Sequence, residues 1–240
     1  MDCYSIRYER QIPIKEIGLA GQEKISRGSV LVIGAGGLGC PAITALAQAG
    51  IGRIGIMDGD RVAMNNLNRQ FLYTPMDLGK DKSACAADWV KKFRPDCQVD
   101  VWQEYMDDKN AGDIIKDFDV VLSAVDRIAT RLVINRKALE FKVPLIDGAL
   151  DGFYGTVTAV LGDGGPCLAC VHPEGREPDK KPDAFGATAM VIGALQAQYA
   201  IALLAKIPIR RGRLLCYDGI FGSLEDVQFE RNPQCPICGR

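Results

Sequence analysis

Apolar residues follow two patterns along this chain. Through about residue 150 they gather in short continuous runs separated by longer helical stretches. Ser29-Val30-Leu31-Val32-Ile33 is such a run, the mark of a strand buried on both faces of a parallel sheet. It leads into Gly34-Ala35-Gly36-Gly37-Leu38-Gly39 and an Ala/Leu-rich helix ending at Gly50. Residues 53–58 form a second strand ending in an acid, so 29–58 reads as a βαβ unit. A surface helix over 15–27 precedes it, and polar, Asn-rich, irregular chain over 59–76 follows. The pattern then predicts a helix over about 79–93, stopped by Pro95, a strand over 99–102 and a helix over 107–117. A buried strand over 120–124, leading to Asp126, a helix over 127–141 and a strand over 143–146 complete the alternation.

Beyond this point the period changes. Residues 156–161 and 214–229 read as β, with turns at Asp218-Gly219 and Gly222-Ser223, and are predicted antiparallel. Between them lie a charged, Pro-rich stretch over 172–183 and a long apolar helix over about 186–206. The predicted class is α/β: a Rossmann-like sheet, parallel in its N-terminal half and continuing into antiparallel strands. The chain reads as one domain over 1–240, with a nucleotide-binding half over about 1–150 and a second half over about 151–240.

Composition narrows the function classes. At 240 residues, with 48% hydrophobic and 25% charged residues, the chain can bury a large core. Lys+Arg 29 against Asp+Glu 30 argues against a nucleic-acid or membrane partner. No window of eighteen apolar residues occurs, and Met1-Asp2-Cys3-Tyr4-Ser5 lacks a secretory core. Nine cysteines, an odd total without an export signal, predict a reducing cytoplasm.

Four of those cysteines form two C-x-x-C pairs in Pro/Gly-rich turns, Cys167/Cys170 and Cys235/Cys238. This is the ligand set of a tetrahedral zinc site with four thiolate ligands. A knuckle puts its pairs about 15–20 residues apart. Here 64 residues intervene, so one Zn²⁺ would clamp the end of the chain to the middle of the fold. His172, the sole histidine, reads as a loop residue beside a completed shell. Cys3, Cys40, Cys85, Cys97 and Cys216 read as small buried hydrophobes.

Gly34, Gly36 and Gly39 complete G-x-G-x-x-G between a strand and a helix, and Asp58 lies at the end of the next strand. Glycines there let phosphate approach backbone N–H groups, and the acid bonds ribose hydroxyls. An NAD site needs little more. This chain adds Asn65-Asn66-Leu67-Asn68-Arg69-Gln70 and Lys82, cations and amides suited to a triphosphate. Asp126, past the fourth parallel strand, is a candidate Mg²⁺ ligand. This set fits phosphoanhydride cleavage better than hydride transfer.

Arg7-Tyr8-x-Arg10-Gln11, Gly34-x-Gly36-Gly37-x-Gly39, Asp58-x-Asp60, Asn66-Leu67-Asn68-Arg69-Gln70, Lys82, Asp126 and both cysteine pairs stand in the order found in the MoeB/ThiF/HesA adenylyltransferases. The chain resembles this family, the prokaryotic relatives of ubiquitin-activating enzymes, over essentially its whole length. The resemblance implies ATP-dependent adenylation of the Gly-Gly C-terminus of a small ubiquitin-like sulfur-carrier protein, releasing pyrophosphate. It implies Asp58 on the ribose, Arg69, Gln70 and Lys82 on the phosphates, Asp126 on Mg²⁺, Asp60 within the nucleotide site, and Arg10 reaching into the other subunit of a homodimer.

Three departures stand out. Arg127 replaces the usual Asn after the metal acid, Asn65 replaces a Ser, and no cysteine lies between Cys170 and Cys216. Some relatives carry a thioester-forming cysteine there, so the chemistry is expected to stop at the adenylate, with an external sulfur or amine donor. Adenylation of a peptide or small-molecule carboxylate is the alternative. An NAD-binding oxidoreductase leaves Arg69, Lys82 and Asp126 unexplained, and a non-catalytic scaffold would lack one of them.

Overall fold

The computed structural model describes residues 6–172, 175–177 and 179–239. The elements are α1 (Gly18–Arg27), β1 (Ser29–Ile33), α2 (Gly39–Ala49), β2 (Arg53–Met57), α3 (Lys82–Phe93), β3 (Gln98–Trp102), α4 (Ala111–Ile115) and β4 (Val120–Ser123). They continue as α5 (Ile128–Glu140), β5 (Leu145–Asp151), β6 (Tyr154–Val160), α6 (Leu168–Val171), α7 (Gly186–Leu204), β7 (Arg213–Asp218) and β8 (Ser223–Gln228).

All eight strands form one sheet, ordered β3-β2-β1-β4-β5-β6-β7-β8. Pairing is parallel from β3 through to β5 and antiparallel from β5 to β8. The change therefore falls on β5, parallel to β4 on one edge and antiparallel to β6 on the other. The predicted fold class is observed. Register fixes the site: Ile33 stands opposite both Met57 and Ser123, so β1, β2 and β4 end level and hand on to Gly34, Asp58 and Ala124 side by side.

Helices cover both faces. One apolar core joins the sheet to α2, α3 and α7, and the other joins it to α4, α5 and the α6 region. Helix α7 carries no charge and is long and apolar enough to cross a membrane. Here it packs on α2, β4, β5 and β6, with Ile192, Ala197 and Ala200 fully buried. Buried Gln196 fixes it to the sheet by donating from Nε2 to the Ser123 carbonyl at 2.7 Å.

Several boundaries move. The helix expected over 15–27 begins at Gly18, because Gly18 takes φ +59. Helix α3 begins at Lys82 rather than 79, because Gly79 takes φ +78 and bonds back to Val62. The helix expected over 107–117 shrinks to Ala111–Ile115, and Asp107 turns the chain by accepting from the N–H of Lys109 and Asn110. The strand expected over 143–146 runs from Leu145 to Asp151 and turns through Gly152 (φ +57) into β6. The added length carries Asp147, which is buried in an ion pair with Arg131.

Candidate functional site

The level ends of β1, β2 and β4 open onto a cleft of about 1020 Å³, room for a nucleotide and the end of a second substrate. Gly34, Gly36, Gly37, Asp58, Asp60, Asn66, Arg69, Gln70, Lys82 and Asp126 all line it.

The glycines serve different purposes. Gly34 has φ +96, and an added Cβ would lie 2.6 Å from the Ala124 carbonyl, so the turn itself requires glycine. Gly36 is different: its nearest neighbour would be Gln70 Nε2 at 3.5 Å, which leaves the space above it free for a ligand. Gly39 lies outside the cleft lining, and a Cβ there would strike the Gly34 carbonyl.

Asp58 closes the turn from β2. Its Oδ2 accepts from the Ala35 N–H at 2.7 Å and its Oδ1 from the Asp60 N–H at 2.8 Å. Burial raises its pKa, against those two N–H bonds and the nearby Lys82. Lys82, its side chain 5% exposed, donates from Nζ to Asp60 Oδ2 at 2.8 Å. Asp60 also accepts from the Tyr105 hydroxyl at 2.5 Å. Burial pushes the Asp60 carboxyl up, but the bonds from Lys82 and Tyr105 outweigh it and hold it low.

Arg69 is braced by the Asn65 carbonyl at 2.9 Å and Asn68 Oδ1 at 2.8 Å. Asn68 therefore orients Arg69 and lies outside the cleft lining, beside a small groove with Phe71 and Phe185. Gln70 is 4% exposed and its Oε1 has no partner among the described residues. A buried acceptor of this kind suits a ligand hydroxyl or a metal-bound water. Asp126 is exposed and pairs with Lys181 at 2.9 Å. Arg10 is exposed and does not line the cleft of its own chain.

Three further residues reach the site without a motif to announce them. Glu177 accepts from the first N–H groups of α5, Ile128 at 3.1 Å and Ala129 at 2.8 Å. Lys181 and Glu177 belong to the charged 172–183 stretch, whose Pro173, Glu174 and Pro178 lie outside the described residues. Tyr105 follows β3, and the rule that ligands sit beyond parallel strand ends could have found it.

The four paired cysteines meet on the opposite core. Their sulfurs lie within 4.8 Å of one another, Cys167 to Cys235 at 3.7 Å and Cys170 to Cys238 at 3.5 Å. Sulfurs at about 2.3 Å from a tetrahedral zinc lie ~3.8 Å apart, so the donor set fits. Burial raises the Cys235 thiol, but N–H groups of Cys238 and Ile237 outweigh it and bring the pKa to about 7. His172 is half-buried and outside this cluster. Of the other cysteines, Cys40 and Cys97 are buried, whereas Cys85 and Cys216 are partly exposed, and Cys3 lies outside the described residues.

A doubly covered sheet with a glycine turn and an acid at level strand ends, and cations lining the same cleft, has the form of a nucleotide-binding α/β protein. The chain belongs to the ThiF family, whose profile matches residues 8–237. It is 37% identical to the sulfur carrier protein adenylyltransferase of Thermus thermophilus, covering 97% of this chain and 90% of that protein. It is 36% identical to the adenylyltransferase and sulfurtransferase MOCS3 of Anopheles gambiae, of which it spans 54%. A crystal structure of E. coli MccB with MccA-N7isoASN superposes with TM-score 0.87 at 19% identity, over 100% of this chain and 76% of that one. The chain is an adenylyltransferase, as the resemblance implies.

Proposed function

We propose that this enzyme uses ATP to adenylate the C-terminal carboxylate of a small ubiquitin-like sulfur-carrier protein ending in Gly-Gly. The observation that carries the reading is the convergence of Gly36, Asp58, Arg69, Gln70, Lys82 and Asp126 on one cleft. The name of the Thermus relative supports a sulfur carrier as substrate.

The nucleophile needs no general base, because a carboxylate is already ionised at neutral pH. Its oxygen attacks the α-phosphorus, the bond to the bridging oxygen breaks, and pyrophosphate leaves. Negative charge gathers on the phosphoryl oxygens, where Arg69 and Lys82 act. Asp58 holds the ribose. A Mg²⁺ ion bound by Asp126 would neutralise phosphate charge, and Lys181 must release that carboxylate first. Arg10 reaches the site of a partner copy in a homodimer. Zn²⁺ at the four cysteines is structural. The 1–150 and 151–240 halves act as one adenylation domain.

No thioester forms in this reading. No cysteine lines the cleft among the described residues, and Cys40, behind the glycine turn, is pushed up to about 12 by burial. An external sulfur or amine donor therefore resolves the acyl-adenylate. Arg127, on the cleft wall where the family has Asn, is the one observation favouring a peptide or small-molecule carboxylate instead.

ATP–pyrophosphate exchange, assayed across Gly-Gly-ending carrier proteins, tests the reading. Asp126→Ala should lower exchange by about 10²-fold or more without loss of fold, since Asp126 is exposed. Near-normal exchange in that variant would remove Asp126 from the metal site. No exchange with any such carrier would favour the small-carboxylate reading.

A further inference from the structure

Tyr105 stands on the β3 side of the cleft, just past the end of that strand. It is 67% exposed, yet two contacts fix it. Its hydroxyl donates to Asp60 Oδ1 at 2.5 Å. Its ring lies against Gly59, where the three atoms nearest an added Cβ all belong to that ring, at 2.9–3.0 Å. Gly59 does not take a left-handed backbone, so the ring rather than the turn accounts for glycine between Asp58 and Asp60.

We infer that Tyr105 is the platform on which the adenine ring of ATP stacks. The inference rests on the reading that this cleft takes ATP. With the phosphates at Gly36 and Arg69 and the ribose on Asp58, the base must continue away from the phosphates, toward β2 and β3. Tyr105 meets it there, with Met106 beside it in the wall. An aromatic ring already pinned at its hydroxyl and along Gly59 loses little freedom when a base stacks on it. Donation to Asp60, then burial, push the phenol up to about 12, so the platform is uncharged at neutral pH. The competing role is bracing: Tyr105 would act only through Asp60 on Lys82, and so on the phosphates.

Calorimetric titration with Mg·ATP and with Mg·tripolyphosphate, which has no base, separates the two. Tyr105→Ala should weaken ATP binding on the order of tenfold and leave tripolyphosphate unchanged. Tyr105→Phe should retain most of the ATP affinity. Gly59→Ala, which displaces the ring, should weaken ATP in the wild-type background and add nothing in Tyr105→Ala. Equal losses for ATP and tripolyphosphate would assign the residue to bracing and overturn the inference, as would unchanged ATP affinity in Tyr105→Ala. A wild-type chain that binds tripolyphosphate but not ATP would overturn the ATP reading itself, and this inference with it.

Discussion

Strands β1 and β8 belong to one sheet but are held by different forces. Four of the five β1 residues are buried, and every residue of β8 is exposed. Around β1, β2 and β4 apolar side chains are packed on both faces, and burial there stabilises the fold at about 25 cal/mol per Å². The β7–β8 hairpin has its ladder, a few surface ion pairs and the cysteine cluster that follows it. A half with stability to spare can carry costly groups at its strand tips, such as buried Lys82 or the desolvated Asp58. A half without it needs a clamp.

In the proposed reading that clamp is a zinc ion at the four cysteines, and it is the place to break this contrast most severely. Binding energies of about 10–16 kcal/mol for a structural zinc make its loss larger than any single packing change. Cys235→Ser should shed the metal and lower the melting temperature by about 10 °C or more, at ~2–4 °C per kcal/mol for a chain of this size. Hydrogen exchange should rise first over 213–239 and last in β1 and β4. Zinc-free protein with wild-type melting would show that the hairpin needs no clamp.

The parallel half was legible because its central strands are buried on both faces and therefore read as apolar runs, as in 29–33 and 120–124. The cleft residues were legible because glycine turns and strand-end acids follow fixed spacing. What escaped was long-range pairing. The expected strand stopped at 146, short of Asp147 and Gly148, yet Arg131 neutralises the first from α5 and Gln196 fills the space beside the second from α7. Tyr105 escaped for the same reason, since its partners Gly59 and Asp60 lie more than forty residues away.

That Arg131–Asp147 pair gives the next prediction. Both side chains are at least 94% buried, and Arg131 Nε donates to Asp147 Oδ1 at 2.9 Å. Arg131→Met leaves a buried carboxylate without its partner and should cost about 3–5 kcal/mol in denaturant unfolding. Adding Asp147→Leu should recover most of that loss. Equal instability in the single and double variants would mean that the pair matters for shape rather than charge.

The smallest effect belongs to the same two residue types in the weaker half. Arg213 Nε meets Asp226 Oδ1 at 2.6 Å across β7 and β8, with Arg210 at 3.2 Å, but the pair lies at the surface. Water and salt screen it, and a stabilisation near the limit of measurement follows. The sign is fixed by titration. Hydrogen bonding from Arg213 lowers the Asp226 pKa below 3.8 in the folded chain. Its contribution is therefore present above the ordinary carboxylate value and is lost as pH falls through the depressed one. Asp226→Asn should differ only slightly from wild type in urea at neutral pH, less still in 1 M salt, and not at all once acid has protonated Asp226. A loss at neutral pH as large as that of Arg131→Met would mean that the exposed hairpin depends on its ion pair, and that the contrast between the two halves is drawn in the wrong place.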